Sequence, residues 1–169
     1  MASKYIQPTL ASRRVVLDPA APGTIMRYAL GIESVINLIG CSTMLFLPKH
    51  FLSLVVTKPA EITTTAITVT QWVGALGYIL TAPMLLAIPN TRRAIESRPT
   101  VYYTLAGGEM LLLPLTLYQA LWAEEAGGLS SRALLYGACS LIPHLPWRAF
   151  VLFGKPEWMG RYKDDAKEE

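Results

Sequence analysis

Residues 25–47 read IMRYALGIESVINLIGCSTMLFL, an apolar run interrupted by Arg27 near its start, by Glu33 inside it and by a few small polar residues, and followed by Pro48-Lys49. Coiled as a helix at 1.5 Å per residue, it spans about 34 Å, enough to cross a hydrocarbon core of about 30 Å. Similar blocks follow at about 66–88, closed by Pro89-Asn90, at about 101–122, and at about 133–153. The expected fold is therefore an all-α integral membrane protein, a bundle of four transmembrane helices, with residues 1–24 and 154–169 as tails. The composition agrees: of 169 residues 52% are hydrophobic and 16% charged, with a mean hydropathy of +0.35. That composition argues against a soluble Rossmann, barrel or sandwich fold.

The first 24 residues hold Lys4, Arg13, Arg14 and Asp18 but no apolar stretch, so the first span is expected to act as an uncleaved signal anchor. Basic loops near span ends stay in the cytoplasm. The two tails and the middle loop together hold ten Lys and Arg, against Lys49, Lys58 and Arg132 on the other side, which places both termini in the cytoplasm. The end after Trp158, rich in Lys, Arg, Asp and Glu, reads as a solvated tail, disordered or loosely helical.

Within the spans four ionisable residues stand out: Glu33, Glu109, His144 and Arg148. Each costs at least about 2.5 kcal/mol to insert, so each needs a compensating role. Counting about 1.5 Å per residue from the cytoplasmic end puts Glu33 and Glu109 about 12 Å deep, His144 about 14 Å, and Tyr78 and Thr81 about 15 and 10 Å. All four spans thus bring a polar group to one layer. Helical spacing sets Glu33 with Asn37 and Gly40, Glu109 with Tyr102 and Thr116, His144 with Ser140 and Arg148, and Gln71 with Gly74, Tyr78 and Thr81. Gly74, Gly77, Gly107 and Gly108 would let helices approach closely, and Pro143 and Pro146 bracket His144 in a deformed stretch. Arg148, close to the cytoplasmic end, is expected to snorkel outward.

Paired carboxyls in a low-dielectric site suit acid/base work, one protonated as general acid and the other ionised as base or nucleophile. Glu109 is the candidate base or nucleophile and Glu33 the candidate acid, with His144 assisting proton transfer. Asn37, Tyr78, Gln71 and Tyr102 are the candidate substrate-binding groups. The competing reading is that the glutamates pair with Arg27, His144 or Arg148 and only hold the bundle together.

Missing motifs narrow the chemistry. There is no C-x-x-C pair, no G-x-S-x-G elbow, no Walker A sequence and no G-x-G-x-x-G fingerprint. Only His50 and His144 are present, too few for a histidine-rich di-iron site, and Asp164-Asp165 lies in the tail, away from any span. No metal or cofactor is expected, and a net charge of +3 does not suggest nucleic acid. The expected partners are a lipophilic small molecule and membrane lipid, with self-association or contact with other pathway enzymes left open.

Gly31-Ile32-Glu33 in span one, Gln71-Trp72-Val73-Gly74 opening span two, and Gly107-Gly108-Glu109 in span three give the core a pattern that resembles a group of small fungal membrane proteins. These are the four-span proteins of secondary-metabolite pathways, such as the hydrolase-type proteins of the aurovertin and citreoviridin polyketide routes. The resemblance implies an enzyme of the endoplasmic reticulum membrane that opens or cyclises an epoxide on a polyketide or terpenoid. The four-span sterol isomerases are a second relative by architecture and imply double-bond isomerisation. A non-catalytic adaptor or a proton-coupled carrier is the alternative from another class.

Overall fold

The computed structural model describes residues 16–122 and 128–163. They are mostly helical: α1 (Thr24–Phe46), α2 (Pro48–Val55), α3 (Thr64–Leu86), α4 (Arg92–Leu121), α5 (Ser131–Leu141) and α6 (His144–Ala149), followed by a π-helical turn at Phe150–Gly154. A short antiparallel pair, β1 (Val16–Leu17) and β2 (Tyr162–Lys163), joins the two ends of the described chain. Helix starts follow the sequence: Thr63, Thr91 and Ser130 each accept a hydrogen bond from the backbone N–H three residues on, the usual work of an N-cap hydroxyl.

Two helices, α1 and α3, are long and apolar enough to cross a membrane. Their bounds fall within two residues of those expected for the first two spans. The other two blocks differ from expectation. Helix α4 begins nine residues before Val101 and takes in the basic stretch from Arg92 to Arg98. The fourth block is broken, because α5 stops at Leu141 and α6 restarts at His144, with Pro143 and Pro146 unable to donate to the ladder. The connection after α1 is itself partly helical as α2.

Helix α1 packs along α3, and α4 packs on α5 and α6, whereas α1 and α4 do not run against one another. The α1–α3 seam is close because α3 presents glycine to it. A Cβ on Gly74 would stand 2.9 Å from the Cys41 carbonyl oxygen, and one on Gly77 would collide with Cys41 Sγ. Along α1, Met26, Leu30, Ser34 and Cys41 face inward, while Tyr28, Ile32, Val35, Ile36, Ile39 and Phe46 are exposed. Trp72, Leu76, Ile79 and Leu86 are likewise exposed on α3, as are Leu111, Leu112 and Leu115 on α4. Large apolar side chains thus cover the outside of α1, α3 and α4 while Ser34, Thr70, Thr81 and Glu109 are buried, a surface unlike that of a water-soluble bundle.

The apolar core lies at the end of the bundle that carries the chain's two ends. It gathers Met26, Leu30, Met84, Ala87, Val101, Tyr102, Val151 and Met159. Beside it Arg98, fully buried, donates from Nε to Ala87 O (2.9 Å), from Nη1 to Met159 O (2.5 Å), and from Nη2 to Ile88 O, Pro89 O and Asn90 Oδ1 (3.1, 3.1 and 2.9 Å). No carboxylate accompanies these five acceptors, and burial, reinforced by nearby Arg27, pulls the guanidinium down to about 10. Gly23 (φ +67°) and Gly160 (φ +91°) make room for it, since a Cβ at Gly23 would collide with Nη1 and one at Gly160 would stand 2.8 Å away.

The segment after Trp158 is therefore not wholly a solvated tail. Residues 156–159 form a 3₁₀ turn, Met159 is buried, and the Tyr162 hydroxyl donates to Glu96 while its ring lies under Arg92 at 5.2 Å. Local charge balance hid this, because the segment's anchors are backbone carbonyls and one tyrosine. The residues from 164 on, with Asp164-Asp165, and the residues before 16 lie outside the described chain, as do Glu124 and Glu125.

Two outcomes are expected. Arg98→Leu leaves five acceptors without their donor and lowers stability by about 3 kcal/mol, read by thermal unfolding in detergent. Tyr162 and Arg92 hold the Glu96 carboxyl below its ordinary 4.5. The Glu96 contribution to docking of the C-terminal segment is then complete above 4.5 and lost as pH falls through the depressed value. Amide exchange of residues 156–163, corrected for intrinsic rate, should rise only on the acid side.

Candidate functional site

Three helices meet at one cation. Arg148, on α6, is buried with 1% of its side chain exposed, and it engages Glu109 on α4 and Glu33 on α1. Its Nε lies 2.9 Å from both Glu109 oxygens, and Nη2 lies 2.8 Å from Glu109 Oε1. Nη2 also donates to Glu33 Oε1. Both oxygens of Glu109 therefore accept from the guanidinium. Glu33 is held by Oε1 alone; Oε2 makes no hydrogen bond among the described residues, and the side chain keeps 16% exposure.

The expectation that Arg148 snorkels is thus overturned. Its Cα is close to the end of the bundle, but the two acids lie on the inner side, and a buried carboxylate pair attracts a guanidinium more strongly than solvent does. The Tyr102 ring supports it from below, 4.9 Å from the guanidinium carbon, and the Tyr102 hydroxyl accepts from Trp147 Nε1 at 3.1 Å. Tyr102 is fully buried, so it is part of the cluster and not of an interfacial belt. Two buried polar atoms remain unpartnered among the described residues: Arg148 Nη1 and, next to Glu33 in the chain, Ser34 Oγ.

Of the sequence candidates, Glu33, Glu109 and Tyr102 come together. The others do not join them. His144 Nδ1 is 2.7 Å from the Ser140 carbonyl, one turn back on its own strand of helix, and no hydrogen bond ties the ring to either glutamate. Asn37, Gln71 and Tyr78 serve the α1–α3 seam: Asn37 Nδ2 donates to Met84 Sδ (3.6 Å), Gln71 Nε2 to Leu45 O (3.2 Å), and the Tyr78 hydroxyl pairs with Ser42 Oγ (2.5 Å). Equal depth brought these residues into one layer, but a layer has several faces, and theirs points at the neighbouring helix. Gly107 and Gly108 were expected to permit close helix contact; instead both are exposed on the outside of α4, where a Cβ on either meets nothing within 4 Å.

Sequence reasoning passed over Arg98 and Ser34 and undervalued Arg148. A count of cations against acids within the blocks would have pointed to Arg148, since Glu33 and Glu109 have few other cations within reach. No group of metal-ligating side chains exists among the described residues. Comparison with family models, with curated proteins and with solved structures gives no match for this chain.

Removing the cation strands two carboxyls inside the bundle. Arg148→Gln is expected to destabilise by about 3–5 kcal/mol. Glu109→Gln, which loses a two-oxygen contact, should cost more than Glu33→Gln. Chemical denaturation in detergent checks the order, and equal losses for the two glutamine variants would contradict the asymmetric clamp.

Proposed function

We propose that the protein is a cofactor-free acid/base enzyme of a membrane, a four-span bundle with both termini in the cytoplasm and seated in the endoplasmic reticulum. It opens or cyclises an epoxide on a lipophilic polyketide or terpenoid. The membrane placement is supported by the two apolar helices and by the apolar exterior of α4. The choice of substrate class is supported by the resemblance of the Gly31-Ile32-Glu33, Gln71-Trp72-Val73-Gly74 and Gly107-Gly108-Glu109 patterns to the fungal pathway proteins.

The observation that carries the acid/base reading is the unequal grip of Arg148. Glu109, gripped through both oxygens, is the ionised partner, and Glu33 has a free oxygen from which a proton can be delivered. In this mechanism Glu33 protonates the epoxide oxygen as the C–O bond breaks. A water, or a hydroxyl of the substrate itself, attacks the carbon and gives its proton to Glu109, one oxygen of which leaves Arg148 to accept it. The first case adds one water and the second closes a ring with no change in mass. Transfer of the proton from Glu109 back to Glu33 restores the starting state.

A second reading is favoured by a separate observation: every oxygen of Glu109 and one of Glu33 is already bound to Arg148, as in a tie that only holds helices together. Glu33→Gln separates the two. It keeps an oxygen for Arg148 and removes the transferable proton, so the enzyme reading expects a folded protein with turnover reduced by at least about 10²-fold. The metabolite profile of cells carrying Glu33→Gln should then show a precursor differing from the lost product by one water or by nothing in mass. A normal profile with normal protein abundance would leave the structural tie, or a carrier, as the function.

A further inference from the structure

The outer face of α1 carries an open groove of about 450 Å³ lined by Arg27, Tyr28, Gly31, Ile32, Val35 and Ile36. Its walls are almost wholly apolar, with Arg27 at one end. Arg27 Nε donates to the Ile88 carbonyl at 3.1 Å, which fixes the side chain against the end of α3. Its two terminal nitrogens make no hydrogen bond or ion pair among the described residues. The nearby cation Arg98 spends its donors on neutral acceptors, so among the described residues the pair of guanidinium groups has no carboxylate partner. Tyr28, 70% exposed, follows it on α1.

The dimensions suit one leaflet of a bilayer. Nine residues separate Arg27 from Ile36, a rise of about 14 Å, against about 15 Å for half of a hydrocarbon core. Gly31 creates the depth, because a Cβ there would meet nothing within 4 Å. We propose that this groove is a binding site for one anionic phospholipid, with its phosphate on the terminal nitrogens of Arg27 and an acyl chain lying over Gly31, Val35 and Ile36. A preoriented guanidinium favours phosphate, which takes two parallel N–H donors. The site rests on the membrane placement proposed above and is independent of the acid/base chemistry.

The test is native mass spectrometry of the full chain released from nanodiscs of equimolar phosphatidylcholine and phosphatidylglycerol. The wild type should retain phosphatidylglycerol over phosphatidylcholine by about fivefold, the preference that one interfacial cation confers. Arg27→Gln should bring the ratio to that of the disc while Arg27→Lys keeps a preference. Gly31→Leu, which fills the groove without meeting protein atoms, should lower retention of both lipids. An unchanged ratio in Arg27→Gln overturns the proposal, as does unchanged retention of both lipids in Gly31→Leu. Failure of the chain to enter the discs overturns it through the membrane placement instead, a result that the other outcomes do not resemble.

Discussion

The guanidinium of Arg148 is the point on which the bundle's arrangement turns. Two helix groups, α1 with α3 and α4 with α5 and α6, do not run against one another along α1 and α4, yet one acid from each group reaches the same cation. A carboxylate buried alone is costly, and two facing one another are worse; the arginine makes both tolerable and gives a reason for the pairs to sit at that distance. Tyr102 and Trp147 complete the arrangement, the ring accepting the cation on its face and the indole fixing the hydroxyl. Charge therefore does between these helices what side-chain interdigitation does along the α1–α3 seam.

That same arrangement sets the terms of any chemistry. A carboxylate held through both oxygens is a committed anion, and one held through a single oxygen keeps an atom free. The distinction between Glu109 and Glu33 arises from where α1 and α4 stand relative to α6, not from the identity of the residues. Two acids sharing one cation also make a group whose charge changes by one proton without any side chain having to move far. Such a device is as useful to a transporter as to an enzyme, which is why turnover, not geometry, separates them.

Much of this was legible in the sequence. The two apolar blocks around Glu33 and Tyr78 mark α1 and α3 to within two residues, because a continuous apolar run closed by proline has few other solutions. Depth counting correctly put Glu33 and Glu109 on a level. It could not say which of the residues at that level faced which neighbour, so Asn37, Gln71 and Tyr78 were grouped with the acids although they bind across the α1–α3 seam. The interruption of the fourth block is announced by Pro143 and Pro146, but its consequence, a short α6 that swings Arg148 inward, depends on packing. Arg98 was invisible for a further reason: its partners are carbonyls, which every residue has, and no side-chain pattern records them.

The fold is fastened at both ends. At one, Arg98 binds the α3–α4 connection to the C-terminal segment; at the other, Val56 pairs with Leu129, Thr57 N–H with Gly128 O and Ser130 N–H with Val55 O. Between the fastenings Arg148 carries the ion pairs that reach across from α4 to α1. Hydrogen bonds to backbone carbonyls thus close both ends of the bundle, while its middle is held by charge, whose strength depends on keeping water away from that one guanidinium.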